Sequence, residues 1–189
     1  MIDKKSLRKD MAEKRATAHK SVDVAPALGH LRRALDGAEF PISFFWPIRS
    51  EIDPRPVMED LSRLGQVALP VTSGYNPLTF RAWTPDSAMD VDGFGVAIPS
   101  DTDECLPRTL VIPLLAFDRR GHRLGYGAGH YDRTLDKLRK RFPVTAIGFA
   151  YAAQECDRVP TEPTDQPLDL IVTENGPIKP TLASPHPAG

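Results

Sequence analysis

From Phe117 to Arg133 the chain reads Phe-Asp-Arg-Arg-Gly-His-Arg-Leu-Gly-Tyr-Gly-Ala-Gly-His-Tyr-Asp-Arg. Gly125, Gly127 and Gly129 fall at alternate positions, where backbone N–H groups can turn toward a phosphate without interference from a Cβ. A helix is expected to start directly after them, and its positive end would add to that attraction. Arg123 and Arg133 can contribute fixed charge, and Asp132 can hold a magnesium ion against phosphates, because hard cations take oxygen ligands. The run is not a Walker loop, since no Gly-Lys-Ser/Thr follows, and its spacing differs from the dinucleotide GxGxxG. Glycine spacing alone fits a tight structural turn equally well. No Ser-His-Asp or Cys-His arrangement is evident, so no residue is assigned as a catalytic acid or base. His122 has the intrinsic pKa of a proton carrier, but a loop histidine is more often simply solvated.

The elements around this run must place it. Leu110–Leu115 is a continuous apolar run, as in a strand buried on both faces. The polar loop Asp118–Arg123 follows, and Tyr131–Arg141 has helical character with Leu135 and Leu138 on one side. Residues 3–36 read as a helix broken between Ser21 and Pro26, basic through Lys4, Lys5, Arg8, Lys9, Lys14 and Arg15. Further strands are expected at Ile42–Trp46, Gln66–Pro70, Leu78–Trp83, Thr145–Ala150 and Leu168–Val172, with a helix over 54–64. Residues 84–107 read as loop with at most a short strand. The alternation predicts an α/β fold, a three-layer sandwich with a largely parallel sheet covered on both faces. One domain is expected over 1–176, followed by a proline-rich irregular tail over 177–189.

With 189 residues, 41% hydrophobic and 26% charged, the composition is that of a globular protein able to fold on its own core. A net charge of -1 argues against nucleic acid as the main partner, though a local basic cluster suffices for a small anion. Cys105 and Cys156 have no CxxC spacing and read as reduced thiols. No apolar run approaches the roughly 20 residues of a membrane span, and the N-terminus lacks a secretory h-region. A cytoplasmic protein with no membrane partner is expected.

Taken whole, the 117–133 run resembles the hallmark of the 5-formyltetrahydrofolate cyclo-ligase, or methenyltetrahydrofolate synthetase, family. Other segments agree in order. Lys4-Lys5-Ser6-Leu7-Arg8 resembles the family's N-terminal basic helix, and Ile48-Arg49-Ser50-Glu51-Ile52 the segment after its first strand. Leu69-Pro70-Val71 and Leu78-Thr79-Phe80-Arg81-Ala82-Trp83 resemble its central strands. Val159–Asp165 and Asp169–Glu174 resemble its C-terminal end, so the likeness spans about residues 4–174. There are departures. His130 stands where the family usually has tyrosine, Ala128 where it often has glycine or lysine, Thr109 where bacterial members often have aspartate, and Ser100 where a glutamate-proline pair is common.

The resemblance implies a fold shared with sugar-phosphate isomerases and CoA transferases. It implies an ATP- and magnesium-dependent ligase of one-carbon metabolism that converts 5-formyltetrahydrofolate to 5,10-methenyltetrahydrofolate. By the same resemblance Lys4, Lys5, Ser6, Leu7 and Arg8 meet ATP. Arg123, Leu124, Gly125, Tyr126, Gly127, Ala128, Gly129, His130 and Tyr131 cradle its phosphates. Asp132 and Asp165 are the magnesium carboxylates. Trp46 and Glu51 contact the reduced folate, and Tyr126 to His130 lie where the two ligands meet. Arg81 is more readily a structural residue than a folate contact. The implied partners are small molecules, and a monomer is expected. Two other readings stay open on the residues alone: a non-catalytic nucleotide- or folate-binding protein, to which His130 and Ala128 lend support, and a sugar-phosphate isomerase-like enzyme of the same fold.

Overall fold

The computed structural model describes residues 3–100 and 102–181. At its centre is a seven-stranded sheet. Five of its members are β1 (Ile42–Ser43), β2 (Val67–Val71), β6 (Thr109–Ile112), β9 (Thr145–Phe149) and β10 (Leu170–Thr173), which run parallel to their neighbours in the order β10-β9-β6-β1-β2. Antiparallel strands close both edges: β3 (Thr79–Trp83) beside β2, and β11 (Gly176–Ile178) beside β10.

Side chains alternate between the two faces, as the strand period of two demands. Val67, Leu69, Val111, Ile147 and Val172 point into one core, with Leu31 of α2 (Ala25–Ala34) and Met58 and Leu61 of α3 (Arg55–Ser62). Ala68, Leu110, Ile112, Ala146 and Ile171 point into the other, against Leu135 and Leu138 of α4 (His130–Arg139). The expected layers, helices on both faces of a mostly parallel sheet, are therefore present. Helix α1 (Lys4–Ser21) is capped by Asp3, whose side chain accepts the Ser6 N–H at 3.1 Å. It packs Leu7 and Met11 on Ala116, Leu124 and Val159 in a third, smaller cluster.

The expected break between the first two helices falls at 22–24, and Pro26 sits in the first turn of α2, where its missing N–H costs nothing. Four expectations need correction. The first strand pairs only over Ile42–Ser43. Phe44 N–H still reaches the Ala68 carbonyl, but Pro47, with no N–H, ends the possibility of a ladder. Within 84–107 there is a hairpin, β4 (Met89–Val91) with β5 (Ala97–Pro99), and not a loop with at most one short strand. Its turn is tied by Asp92, whose Oδ1 accepts the N–H groups of Phe94 and Val96 at 2.9 Å. The stretch read as a polar loop is loop over 118–122 but ends one residue earlier than expected, because Arg123 opens β8 (Arg123–Leu124), which pairs with β7 (Ala116–Phe117) in a second hairpin. Its organiser is Asp118, which is fully buried and accepts the N–H groups of Arg120, His122 and Val159 as well as the Arg120 guanidinium. Burial pushes this carboxyl up, yet those donors outweigh it and hold Asp118 below the usual range. Lastly, a domain end at 176 would cut through β11, which pairs Ile178 with Ile171. Of the expected tail, residues 182–189 lie outside the described residues.

Candidate functional site

The parallel strands β1, β2 and β6 all release the chain on one side of the sheet. Phe45, Trp46, Pro70, Thr72 and Pro113 line a cleft of about 1040 Å³ there, beyond their carboxyl ends, where parallel sheets bind ligands. The glycine run from β8 to α4 forms its opposite wall. Gly127 has φ 108° and Gly129 has φ 66°, conformations that L side chains rarely adopt, so these two positions call for glycine. Gly129 is the residue before α4 and offers no side-chain cap, which leaves the first N–H groups of the helix facing outward. Ala128 keeps a negative φ, since Arg49 is the only non-glycine residue with positive φ among those described.

Basic side chains are locked onto this loop. Arg8 Nε donates to the Gly125 carbonyl at 3.0 Å, and a Cβ on Gly127 would lie 3.2 Å from Arg8 Nη2. Arg133 Nη2 donates to the Ala128 carbonyl at 2.6 Å. Arg123 is buried, donates to the Gln166 carbonyl, and pairs with Asp132 Oδ1 at 2.8 Å. Burial draws its pKa down, against the pull of Asp132. Asp132 Oδ1 also accepts the Gln166 N–H at 2.9 Å, which ties α4 to the segment carrying Asp165. Asp165 Oδ2 accepts the Glu162 N–H at 2.8 Å and lies 3.7 Å from Lys4 Nζ.

The other end of the cleft is drier. Glu51 is 5% exposed. Its Oε2 accepts the Ile48 N–H at 3.0 Å and its Oε1 accepts the Tyr126 hydroxyl at 3.2 Å. Burial raises its pKa, opposed by the Ile48 N–H, Arg15, Tyr126 and Arg49. Trp46 packs edge-on against Trp83 with centroids 6.4 Å apart, and the Arg55 guanidinium lies 5.1 Å from its ring centroid. Tyr131 is half-buried between these two ends, and desolvation pushes its hydroxyl pKa well up.

The structure brings Lys4, Arg8, Trp46, Glu51, Asp165 and the whole run Arg123 to Asp132 into one cleft. It leaves Lys5, Ser6 and Leu7 outside. They sit on other faces of α1: Leu7 is buried in the small core under the helix, and the Ser6 N–H serves the Asp3 cap. A contiguous segment of sequence cannot all face one ligand once it is helical. His122 is also outside the lining, and its pKa is lowered by burial. Arg81 donates to the carbonyls of Pro99 and Ser100, both at 2.9 Å, and so anchors the β4–β5 hairpin. His130 is fixed by Nδ1 to the Asn76 carbonyl at 3.2 Å and meets the Phe94 ring at 5.8 Å. Sequence reasoning saw Arg15 only as part of a basic helix. It is in fact 2% exposed and faces Glu51. The signal was there, since Arg15 shares a helical face with Met11 and Ala18.

No group of three or more His, Cys, Asp or Glu side chains is gathered for a metal among the described residues. Asp132 and Asp165 together match the sparser need of magnesium, which takes one or two carboxylates and completes its shell with water and phosphate. Asp132 Oδ2 and Asp165 Oδ1 accept no hydrogen bond among the described residues, so each carboxylate keeps an oxygen for a cation.

Comparison with known proteins agrees with this geometry. The family model described as the 5-formyltetrahydrofolate cyclo-ligase family matches residues 1–174. The 5-formyltetrahydrofolate cyclo-ligase of Escherichia coli K12 is 34% identical over 140 residues, 70% of this chain and 76% of that protein. The enzyme of the same name from Mycoplasma pneumoniae is 27% identical over 92% of this chain and 99% of its own. Among solved structures, the 5,10-methenyltetrahydrofolate synthetase of Mycoplasma pneumoniae superposes with a TM-score of 0.71 at 26% identity, covering 92% of this chain and 99% of that one. The synthetase of Aquifex aeolicus, at 24% identity and 98% and 96% coverage, shares the fold with a TM-score of 0.75. With its glycine loop, basic helix and buried cleft carboxylate in the family's order, the chain belongs to the 5-formyltetrahydrofolate cyclo-ligase family of ligases.

Proposed function

We propose that the protein converts 5-formyltetrahydrofolate to 5,10-methenyltetrahydrofolate at the expense of ATP. The observation that carries this is a single cleft with two unlike ends: a glycine and arginine cradle suited to phosphates, and the buried carboxylate of Glu51 near Trp46. A pterin presents N–H donors along one edge and a flat face, which a carboxylate and an indole match. Arg8, Arg133 and the open N–H groups of α4 hold the triphosphate, with Lys4 at the rim.

In this reading the formyl oxygen of the folate attacks the γ-phosphorus, ADP departs, and the anilino nitrogen closes on the activated formyl carbon. The formyl oxygen leaves with phosphate, and the anilino nitrogen gives up its proton to solvent or to the departing phosphate. No side chain has to form a covalent bond, and the protein contributes alignment and charge. Gly127 and Gly129 let the loop backbone approach the phosphates, while Tyr126, linked to Glu51, stands where both ligands meet. Asp132 and Asp165 would hold magnesium, whose chemistry is to neutralise phosphate charge as it develops. With this activity we pair a cytoplasmic monomer, a setting that suits the unpaired thiols Cys105 and Cys156. No helix among the described residues is long and apolar enough to cross a membrane.

The test is to follow methenyltetrahydrofolate spectrophotometrically with ATP and magnesium supplied or withheld. Product that requires both, with one ADP per folate, is the expected result. A folded protein that binds both ligands and releases no ADP would instead be a binding protein.

A further inference from the structure

Resting on that reading, we propose that Arg15 is a positioning residue for the folate: from behind the cleft wall it holds Glu51 and Tyr126 in the arrangement that receives the pterin. Arg15 does not line the cleft. Its side chain is 2% exposed, and its Nη1 lies 3.6 Å from Glu51 Oε1 with no hydrogen-bond partner of its own. Nε donates to Ser50 Oγ at 3.1 Å, which orients the guanidinium. The same group lies 5.6 Å from the centroid of the Tyr126 ring, on which Arg49 also sits at 5.6 Å. Arg49 is held at φ 55°, a strained backbone that persists where surroundings over-determine it.

A buried arginine is expensive unless a carboxylate answers it. Here the carboxylate is the one at the ligand wall, and its other partners leave it room for a ligand. Glu51 faces Arg15 from α1, Arg49 from its own loop, Tyr126 from the glycine run, Tyr131 from α4 and the N–H of Ile48. Of the two cations, Arg49 is exposed and Arg15 is enclosed, so Arg15 is the one that solvent screens least. It favours the ionised Glu51 against the burial that would neutralise it.

The placement is helical. Offsets of four and eleven residues from Lys4 return Arg8 and Arg15 to within about 40° and 20° of the same face. One helix thus lays Lys4 and Arg8 beside the phosphate loop and Arg15 beside the Glu51 carboxylate.

The experiment measures Kd for 5-formyltetrahydrofolate and for ATP by titration calorimetry on wild type, R15M, S50A, E51Q and the R15M/E51Q double variant, with thermal midpoints alongside. R15M is expected to weaken folate about tenfold to a hundredfold and ATP by less than about threefold. Its folate affinity should also fall off at a higher pH than in wild type, because Glu51 loses its enclosed counter-charge. S50A should weaken folate by about threefold to tenfold through loss of orientation. In the E51Q background, R15M should add little, since Arg15 acts through Glu51. Additive losses, equal losses for both ligands, or an unshifted pH dependence would overturn the proposal. Should R15M fail to fold, S50A with wild-type folate affinity overturns it alone. A wild type that binds folate without forming product defeats the proposed activity and leaves the Arg15 result readable. A wild type that binds no folate defeats both.

Discussion

The two ends of the cleft solve opposite problems. At the phosphate end the charges are many, partly wet and mutually paired: Lys4 with Glu162 at 2.7 Å, and Arg123 with Asp132 at 2.8 Å. The exposed Lys4 pair can be exchanged for ligand contacts at small cost, whereas Arg123 is enclosed and depends on Asp132. At the other end a single carboxylate, Glu51, is buried with Arg15 behind it, and burial raises its pKa. Such a charge is costly before any ligand arrives, and a ligand with N–H donors recovers part of that cost. On the proposed activity, the first end suits charge that changes during reaction and the second suits recognition.

If that contrast is right, the largest effect belongs to Asp132. Asp132→Asn should cut turnover at limiting magnesium by roughly a hundredfold or more while leaving folate affinity nearly intact. The structure adds a second consequence. Arg123, with a side chain only 6% exposed, loses its charged partner, so the thermal midpoint should fall, equivalent to about 1–3 kcal/mol. Added magnesium should restore part of the turnover and none of the midpoint. Full turnover at limiting magnesium with a lowered midpoint would reduce Asp132 to the structural partner of Arg123.

Next comes Glu51→Gln, which should weaken folate about tenfold to a hundredfold with little change for ATP. Its pH behaviour sharpens the comparison. A raised carboxyl pKa means that the folded state takes up the proton readily. Stability from this group is therefore present below the unfolded pKa and lost as pH rises through the folded one. Folate needs the ionised form, so its affinity should weaken on acidification above the ordinary glutamate value of 4.5, and E51Q should erase that dependence. Equal effects on both ligands would dissolve the distinction between the two ends.

A smaller effect is expected at Gly127. A side chain at φ 108° is strained, and its Cβ would press on Arg8 Nη2 at 3.2 Å. Gly127→Ala should cost about 1–2 kcal/mol of stability and raise the KM for ATP. Smallest of all, Lys4→Met should leave the thermal midpoint unmoved, because its ion pair with Glu162 is exposed. Its KM for ATP should rise only about twofold to fivefold. A larger rise would make Lys4 a principal phosphate ligand.

The local patterns that can be read along a chain were those that survived folding. The Leu110 run, the Thr145 and Leu168 strands and the break near Pro26 follow from apolar periodicity and the backbone limits of proline, which act within a few residues. The glycine spacing likewise gave the loop and the helix after it. What failed needed information from afar. The hairpin over 116–124 depends on the buried Asp118, whose acceptor oxygens gather donors as distant as Val159, and the one over 89–99 is anchored by Arg81 through the carbonyls of Pro99 and Ser100. Residues Lys5 to Leu7 share a segment with Lys4 and Arg8 but not a face, and only docking of α1 selects which face meets the cleft. The sequence by itself determined the layered α/β class, the glycine loop and the residue types at each end of the cleft, because these are properties of short stretches. Tertiary structure alone decided that Glu51 is buried and not a surface charge, that Arg123 rather than solvent answers Asp132, and that Arg15 stands behind Glu51. Desolvation and ion pairing depend on which distant segments meet, and that is set by packing three layers together.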